Sequence, residues 1–220
     1  MYNAFARREA AVTMLEVRAG SPPWAVTMIE RIYRIHGLDR LGDQWAGWEE
    51  WFTELEESRT SFAPLVFFRS PRANRSWVTA AGAVLDTAAL AASTLDMPRD
   101  ARADLCIRAG FLALRSIADF FRIPHNPHPA PTDPISISRE EYELVYDRLA
   151  ALGVPLRADR AQAWRDFAGW RVNYDTVLLA LAGMVLAPPA PWSSDRAFNF
   201  RPTLFQRRIN RLAQSSGNKK

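Results

Sequence analysis

The chain has 220 residues, 48% of them hydrophobic and 24% charged, with a formal net charge of +4. That length and composition can bury a sizeable core, which excludes a mostly disordered chain, a collagen and a disulfide scaffold. The charge is uneven: residues 201–220 carry six basic side chains and no acid, so the remaining body is slightly acidic and gives no sign of binding nucleic acid.

The pattern is helical nearly throughout. It shows no sustained period-2 alternation and no Asn-Gly or Asp-Gly hairpin signal. The expectation is an all-α protein, an irregular multi-helix bundle of about six to seven helices. A first helix is predicted over 2–19, stopped by Gly20. Ser21 and Pro22 then open a second helix as N-cap and first helical residue, and it ends near His36 and Gly37. A third helix, over 38–58, carries Leu41, Trp45, Trp48, Phe52 and Leu55 on one stripe, with Glu50, Glu54 and Glu57 on a separate acidic face. Trp51 falls off that stripe and is the tryptophan expected to face a partner. The apolar segment over 60–71 reads as a buried turn or a short helix.

The fourth helix, over 76–94, is dense in alanine and glycine, so it is expected at the centre, where small side chains let helices approach closely. The fifth begins at Pro98 and runs to 123, with Arg115 and Asp119 as a surface pair. Five prolines between 123 and 136 make a linker. Ser138 and Glu141 then form a capping box, followed by the stripe Tyr142, Val145, Tyr146, Leu149 and Leu152, and Gly153 and Pro155 end the helix. A last long helix is read over 160–186, stopped by the proline-rich APPAPW. Residues 201–220 are expected to be a basic, disordered tail that can be drawn to an anionic membrane surface.

The residues that could carry chemistry are few. Cys106 has no disulfide partner and lies in an apolar run, as a small buried hydrophobe does. The first residues lack the apolar core of a secretory signal, and no apolar run reaches the roughly 18 residues of a membrane span. His125 and His128 have no cysteine or carboxylate cluster beside them, short of the ligand set that zinc needs. Zinc-protease, nucleophile-elbow and phosphate-loop patterns are absent. The reading is therefore non-catalytic, with no cofactor and no metal. The most unusual segment places Arg165, Asp166, Arg171 and Asp175 among Trp164, Phe167, Trp170 and Tyr174. So many aromatics need burial that some charges should be inside and paired, because an unpaired buried charge is costly. The segment reads either as a buried ion network that fixes helix register or as a site for a small anionic ligand. The second option would make the chain a free-standing binding protein. A less favoured reading uses Asp86 or Asp166 as a buried acid in an enzyme.

Six stretches of sequence also carry a resemblance. They are FARREAAVTMLEVRAGSPP, WEEWFTELEESRTSFAPLVFFRSP, RSWVTAAGAVLDTAAL, LCIRAGFLALRSIADFF, AWRDFAGWRVNYDTVLLALAG and APPAPWSSDR. Together they cover most of residues 2–197 and resemble the cytosolic C-terminal region of bacterial two-transmembrane, potassium-channel-like proteins. The resemblance implies a regulatory or assembly domain at the cytoplasmic face of the cell membrane, whose partners are a pore module and sister subunits. Residues 1–20 would be a membrane-proximal linker helix, with Tyr2 to Phe5 at the cytosolic exit of a pore helix, and 21–200 the helical domain. This sequence itself holds no selectivity-filter-like segment.

Overall fold

The computed structural model describes residues 2–61, 70 and 72–199. The apolar segment over 62–69 and the basic tail over 201–220 lie outside the described residues. The described chain is all-helical, with no strand and one isolated bridge between Leu95 and Leu156. Eight α-helices occur rather than six to seven: α1 Tyr2–Ala19, α2 Ala25–Arg34, α3 Leu41–Ser61, α4 Trp77–Ser93, α5 Ala101–Phe120, α6 Arg139–Ala151, α7 Arg160–Arg171 and α8 Asp175–Met184. Short 3-10 turns cover Leu38–Arg40 and Ser194–Asn199.

The extra helix comes from a break in the predicted last one. Val172, Asn173 and Tyr174 form a turn. The Asn173 side-chain amide donates to the carbonyls of Gly169 (3.0 Å) and Trp170 (3.2 Å). It thereby satisfies carbonyls that the end of α7 leaves open. The apolar period continues through the turn, so periodicity alone joins the two helices.

Helix α4 is the central element. It packs against α5, α7, α2, α1 and α8, and nearly every residue from Trp77 to Leu90 is buried. Its alanines permit that crowding on several sides. The Ser76 hydroxyl accepts from the Val78 N–H and starts the helix. Asp100 does the same for α5. At Gly110, α5 comes so close to its neighbours that a Cβ there would lie 2.4 Å from Leu85 and 3.0 Å from Phe52.

The α3 stripe of Leu41, Trp45, Trp48, Phe52 and Leu55 is buried. Trp51 is buried too, against the expectation that it faces a partner: only 6% of its surface is exposed. Helix α3 packs against both α5 and α1, which widens the covered arc beyond one stripe. Trp51 lies edge-on to Trp48 (4.8 Å between centroids) and to Phe52 (5.1 Å).

Three further expectations are corrected. Helix α2 starts at Ala25, with Trp24 as its unassisted N-cap, because the chain spends Gly20 to Pro23 in a turn. Gly20 supports that turn with φ +86°, a value that strains other residues. Leu152, placed on the α6 stripe, is exposed; it follows the end of α6, just before the chain turns at Gly153 with φ +80°. Arg115 does not pair with Asp119: it donates to the carbonyls of Asn173 and Pro127 and so fastens α5 to the α7–α8 turn and to the proline linker.

The capping box of α6 forms as predicted. Glu141 N–H donates to Ser138 Oγ (3.2 Å) and Ser138 N–H donates to Glu141 Oε2 (2.8 Å). Cys106 is fully buried, and burial raises its thiol pKa, so it is held as the thiol. No helix of the described residues is long and apolar enough to cross a membrane.

Candidate functional site

The four charges singled out in the sequence separate into two pairs. Arg165 and Asp166 lie on the outer side of α7. Arg165 donates to Gln162 Oε1 (2.7 Å), and Asp166 accepts from Gln162 Nε2 (2.7 Å). They belong to a solvated helix face, so neither a buried network nor a buried acid is found at these two positions. Arg171 and Asp175 are inside. Arg171 has no exposed surface and is among the largest fully buried side chains of the described residues.

Arg171 uses every nitrogen of its guanidinium. Nε donates to Asp175 Oδ1 (2.7 Å), Nη1 to Asp86 Oδ1 (2.5 Å), and Nη2 to the Trp192 carbonyl (2.7 Å). Asp86 also accepts from the Tyr174 hydroxyl at 2.9 Å. Asp175 accepts further from Ser136, through the backbone N–H (2.8 Å) and the hydroxyl (2.7 Å). The guanidinium lies 5.1 Å from the centre of the Tyr174 ring.

These groups arrive from different parts of the chain. Asp86 comes from the centre of α4, Arg171 from the end of α7, Tyr174 from the turn, and Asp175 from the start of α8. Ser136 belongs to the proline linker and Trp192 to the segment after α8. The α7–α8 break sets the geometry, since it lets Arg171 and Asp175 converge on one point from two helices. Asp86 has a sequence signal: it is the sole charged residue of α4 and lies in an otherwise apolar helix. Ser136 and the Trp192 carbonyl carry no such signal, because only the tertiary fold brings them here.

A second layer extends the network. Arg196 donates to the Ser136 carbonyl (2.6 Å) and pairs with the Glu141 carboxylate. The α6 cap, the proline linker and the chain after α8 are thus joined to the Arg171 cluster.

The electrostatics follow from burial and pairing. Desolvation raises the Asp86 pKa, and Arg171 opposes that shift. Desolvation works against the Arg171 charge, but Asp86 and Asp175 outweigh it and the guanidinium pKa is raised. Burial together with the Asp86 charge lifts the Tyr174 phenol well above its ordinary value, so it remains a hydrogen-bond donor. The arrangement is a buried ion cluster. It ties helices and loops in register, and Arg171 has no surface open to solvent.

His125 and His128 are not brought to a common centre. The His125 ring is hydrogen-bonded to the Ile123 carbonyl through Nδ1 (3.2 Å), and its Nε2 lies 3.8 Å from Asp119. The described residues contain no group of three or more His, Cys, Asp or Glu side chains that could hold a metal ion. No protein-family model, no curated protein and no solved structure matches the chain.

The outer layer gives a pH prediction. The Arg196 hydrogen bond holds the Glu141 carboxyl below its ordinary pKa, with burial opposing. A lowered folded-state pKa contributes stability above the unfolded value and loses it as pH falls through the folded one. Glu141→Gln keeps a capping-box side chain but removes the charge. Wild type should therefore exceed E141Q in stability at neutral pH, and the difference should shrink as pH falls below about 4.3, the ordinary glutamate value, and vanish only below the lower folded-state pKa. Urea unfolding across that range checks it, and a difference independent of pH would contradict the assignment.

Proposed function

We propose that this chain is a non-catalytic regulatory or assembly module of a two-transmembrane, potassium-channel-like membrane protein, acting at the cytoplasmic face of the cell membrane. Its partners would be the pore module and sister subunits, and the basic tail would lie against anionic lipid. The reading rests on the resemblance spread over most of residues 2–197; the attachment of α1, which an ordinary helical core would share, supplies its mechanical route.

Val12, Leu15 and Ala19 of α1 are buried, and the helix packs against α2, α3 and α4. Polar contacts reinforce the attachment. Arg75 donates to Glu16 Oε2 (2.5 Å) and to Thr13 Oγ1 (2.7 Å). Arg31 donates to the Val17 carbonyl (2.8 Å). A pore-lining helix that continued into α1 would therefore meet a packed domain rather than a free linker. Alternative arrangements of the domain would bias the position of that helix, and so the population of pore states.

The runner-up, a free-standing protein with an anionic ligand at Arg165 and Arg171, loses support because Arg171 has no exposed surface and each of its guanidinium nitrogens bonds within the fold. Two measurements test the proposal. The reading frame upstream of the Met1 codon should encode two apolar spans of about 20 residues with a filter segment between them. A stop codon or an unrelated domain there would overturn it. The backbone amides over 12–19 should exchange with solvent as slowly as those of α7 and α8. Fast exchange would remove the mechanical link on which regulation through α1 depends.

A further inference from the structure

The start of α3, the end of α4 and the start of α5 enclose a groove of about 570 Å³, within the range of small-ligand sites. Its walls are mainly apolar, formed by Leu38, Leu41, Trp45, Ala91, Met97 and Pro155. Four charged residues line it: Asp39, Arg99, Asp100 and Arg157.

Two of the four are committed. Arg99 is held by Asp104, with donor distances of 2.6 and 3.1 Å. Asp100 is the N-cap of α5 and is held by Arg102 through Nε (3.0 Å) and Nη2 (2.9 Å). The other two are held less tightly. The Arg157 guanidinium has no hydrogen bond among the described residues and forms one long ion pair, with Asp166 at 3.8 Å. Asp39 has no ion-pair partner there. The backbone carrying Arg157 is nonetheless fixed, because its N–H donates to the Thr94 carbonyl and its carbonyl accepts from the Tyr146 hydroxyl at 2.7 Å. The groove thus combines an apolar interior with a cation held only by one long ion pair and a carboxylate without an ion-pair partner among the described residues.

We infer that this groove binds a small zwitterion with an apolar body, its carboxylate against Arg157 and its ammonium against Asp39. Such chemistry belongs to short apolar peptides with free termini and to large apolar amino acids. Opposite charges at two points fix the ligand's direction, and the apolar walls favour bulky side chains over polar ones. The inference is independent of the channel reading, since it concerns a ligand and not the attachment of α1.

The test is calorimetric titration of the full chain with L-leucyl-L-leucine. Parallel titrations use N-acetyl-leucyl-leucine, leucyl-leucinamide, L-leucine and glycylglycine. The dipeptide should bind, with each blocked derivative weaker by about tenfold and glycylglycine weaker still. Asp39→Asn and Arg157→Gln, with circular dichroism showing that each remains folded, should each weaken dipeptide binding to a similar degree. D39N should leave the N-acetyl derivative unaffected, and R157Q should leave the amide unaffected. Leucine binding as tightly as the dipeptide would identify an amino acid as the ligand, and weaker leucine binding would identify a peptide. The proposal is overturned if no heat is detected at about 10 mM dipeptide, a weaker regime than most specific recognition. It is equally overturned if a blocked derivative binds as well as its parent, or if only one of the two variants matters.

Discussion

Arg171→Ala is expected to destabilise the fold by about 3–5 kcal/mol, because it leaves two buried carboxylates facing each other without their shared cation. The geometry behind that expectation is the burial of the guanidinium, whose three nitrogens are hydrogen-bonded to Asp175, Asp86 and the Trp192 carbonyl with no exposed surface. Loss of Arg171 also releases the segment after α8 from its anchor on Trp192. Arg165→Ala, only a few residues earlier on the same helix, should change stability by less than about 0.5 kcal/mol, since its partner is an exposed glutamine. Urea denaturation of the two variants separates the buried from the solvated charge. An Arg171→Ala protein that melts like wild type would mean that the cluster does not hold the helices together. A further comparison probes cooperation within the cluster. Removing Asp86 in the Arg171→Ala background should cost much less than removing it from wild type, because the two residues share one interaction.

The second large effect concerns glycine in opposite settings. Gly110→Ala should destabilise by about 1–3 kcal/mol, the usual range for forcing a methyl group into a filled core. Its Cβ would come within 2.4 Å of Leu85, well inside contact distance, and 3.0 Å from the Phe52 ring. Helices α3, α4 and α5 all meet there, so none can retreat without disturbing another. Gly47→Ala, in the interior of α3, has nothing within 4 Å of the added atom. It should stabilise by up to about 1 kcal/mol through helix propensity alone. Chemical denaturation midpoints of the two variants should therefore move in opposite directions. A Gly110→Ala protein as stable as wild type would show that the α3–α5 contact is looser than this structure has it.

Local signals were read unevenly: the expected starts at Pro22 and Pro98 gave way to Ala25 and Ala101, whereas others held. The Ser138–Glu141 cap is made by two residues three apart in the chain. The α3 stripe and the crowded alanines of α4 likewise follow from side-chain size and a period of 3.6 residues. The composition of the Arg165–Asp175 segment correctly signalled that charge must be buried somewhere within it. It could not say which charge, because successive helix faces differ by only about 100° per residue. The neighbours of α7 made that choice, covering Arg171 and leaving Arg165 in water.

By itself, then, the sequence determined that the protein is helical, where α1, α4, α6 and α7 start, and that an aromatic segment carries buried charge. These features arise from propensity, capping and amphipathic period, all of which act within a few residues along the chain. Only the tertiary structure decided that the last long helix breaks at Asn173, that Trp51 is covered on its second side, and that Asp86 is the partner of Arg171. The physical reason is distance along the chain. Arg171 and Asp86 are 85 residues apart, and Arg115 and Asn173 are 58 apart. No local rule ranks one such pairing over another until packing brings the groups together and removes water from between them.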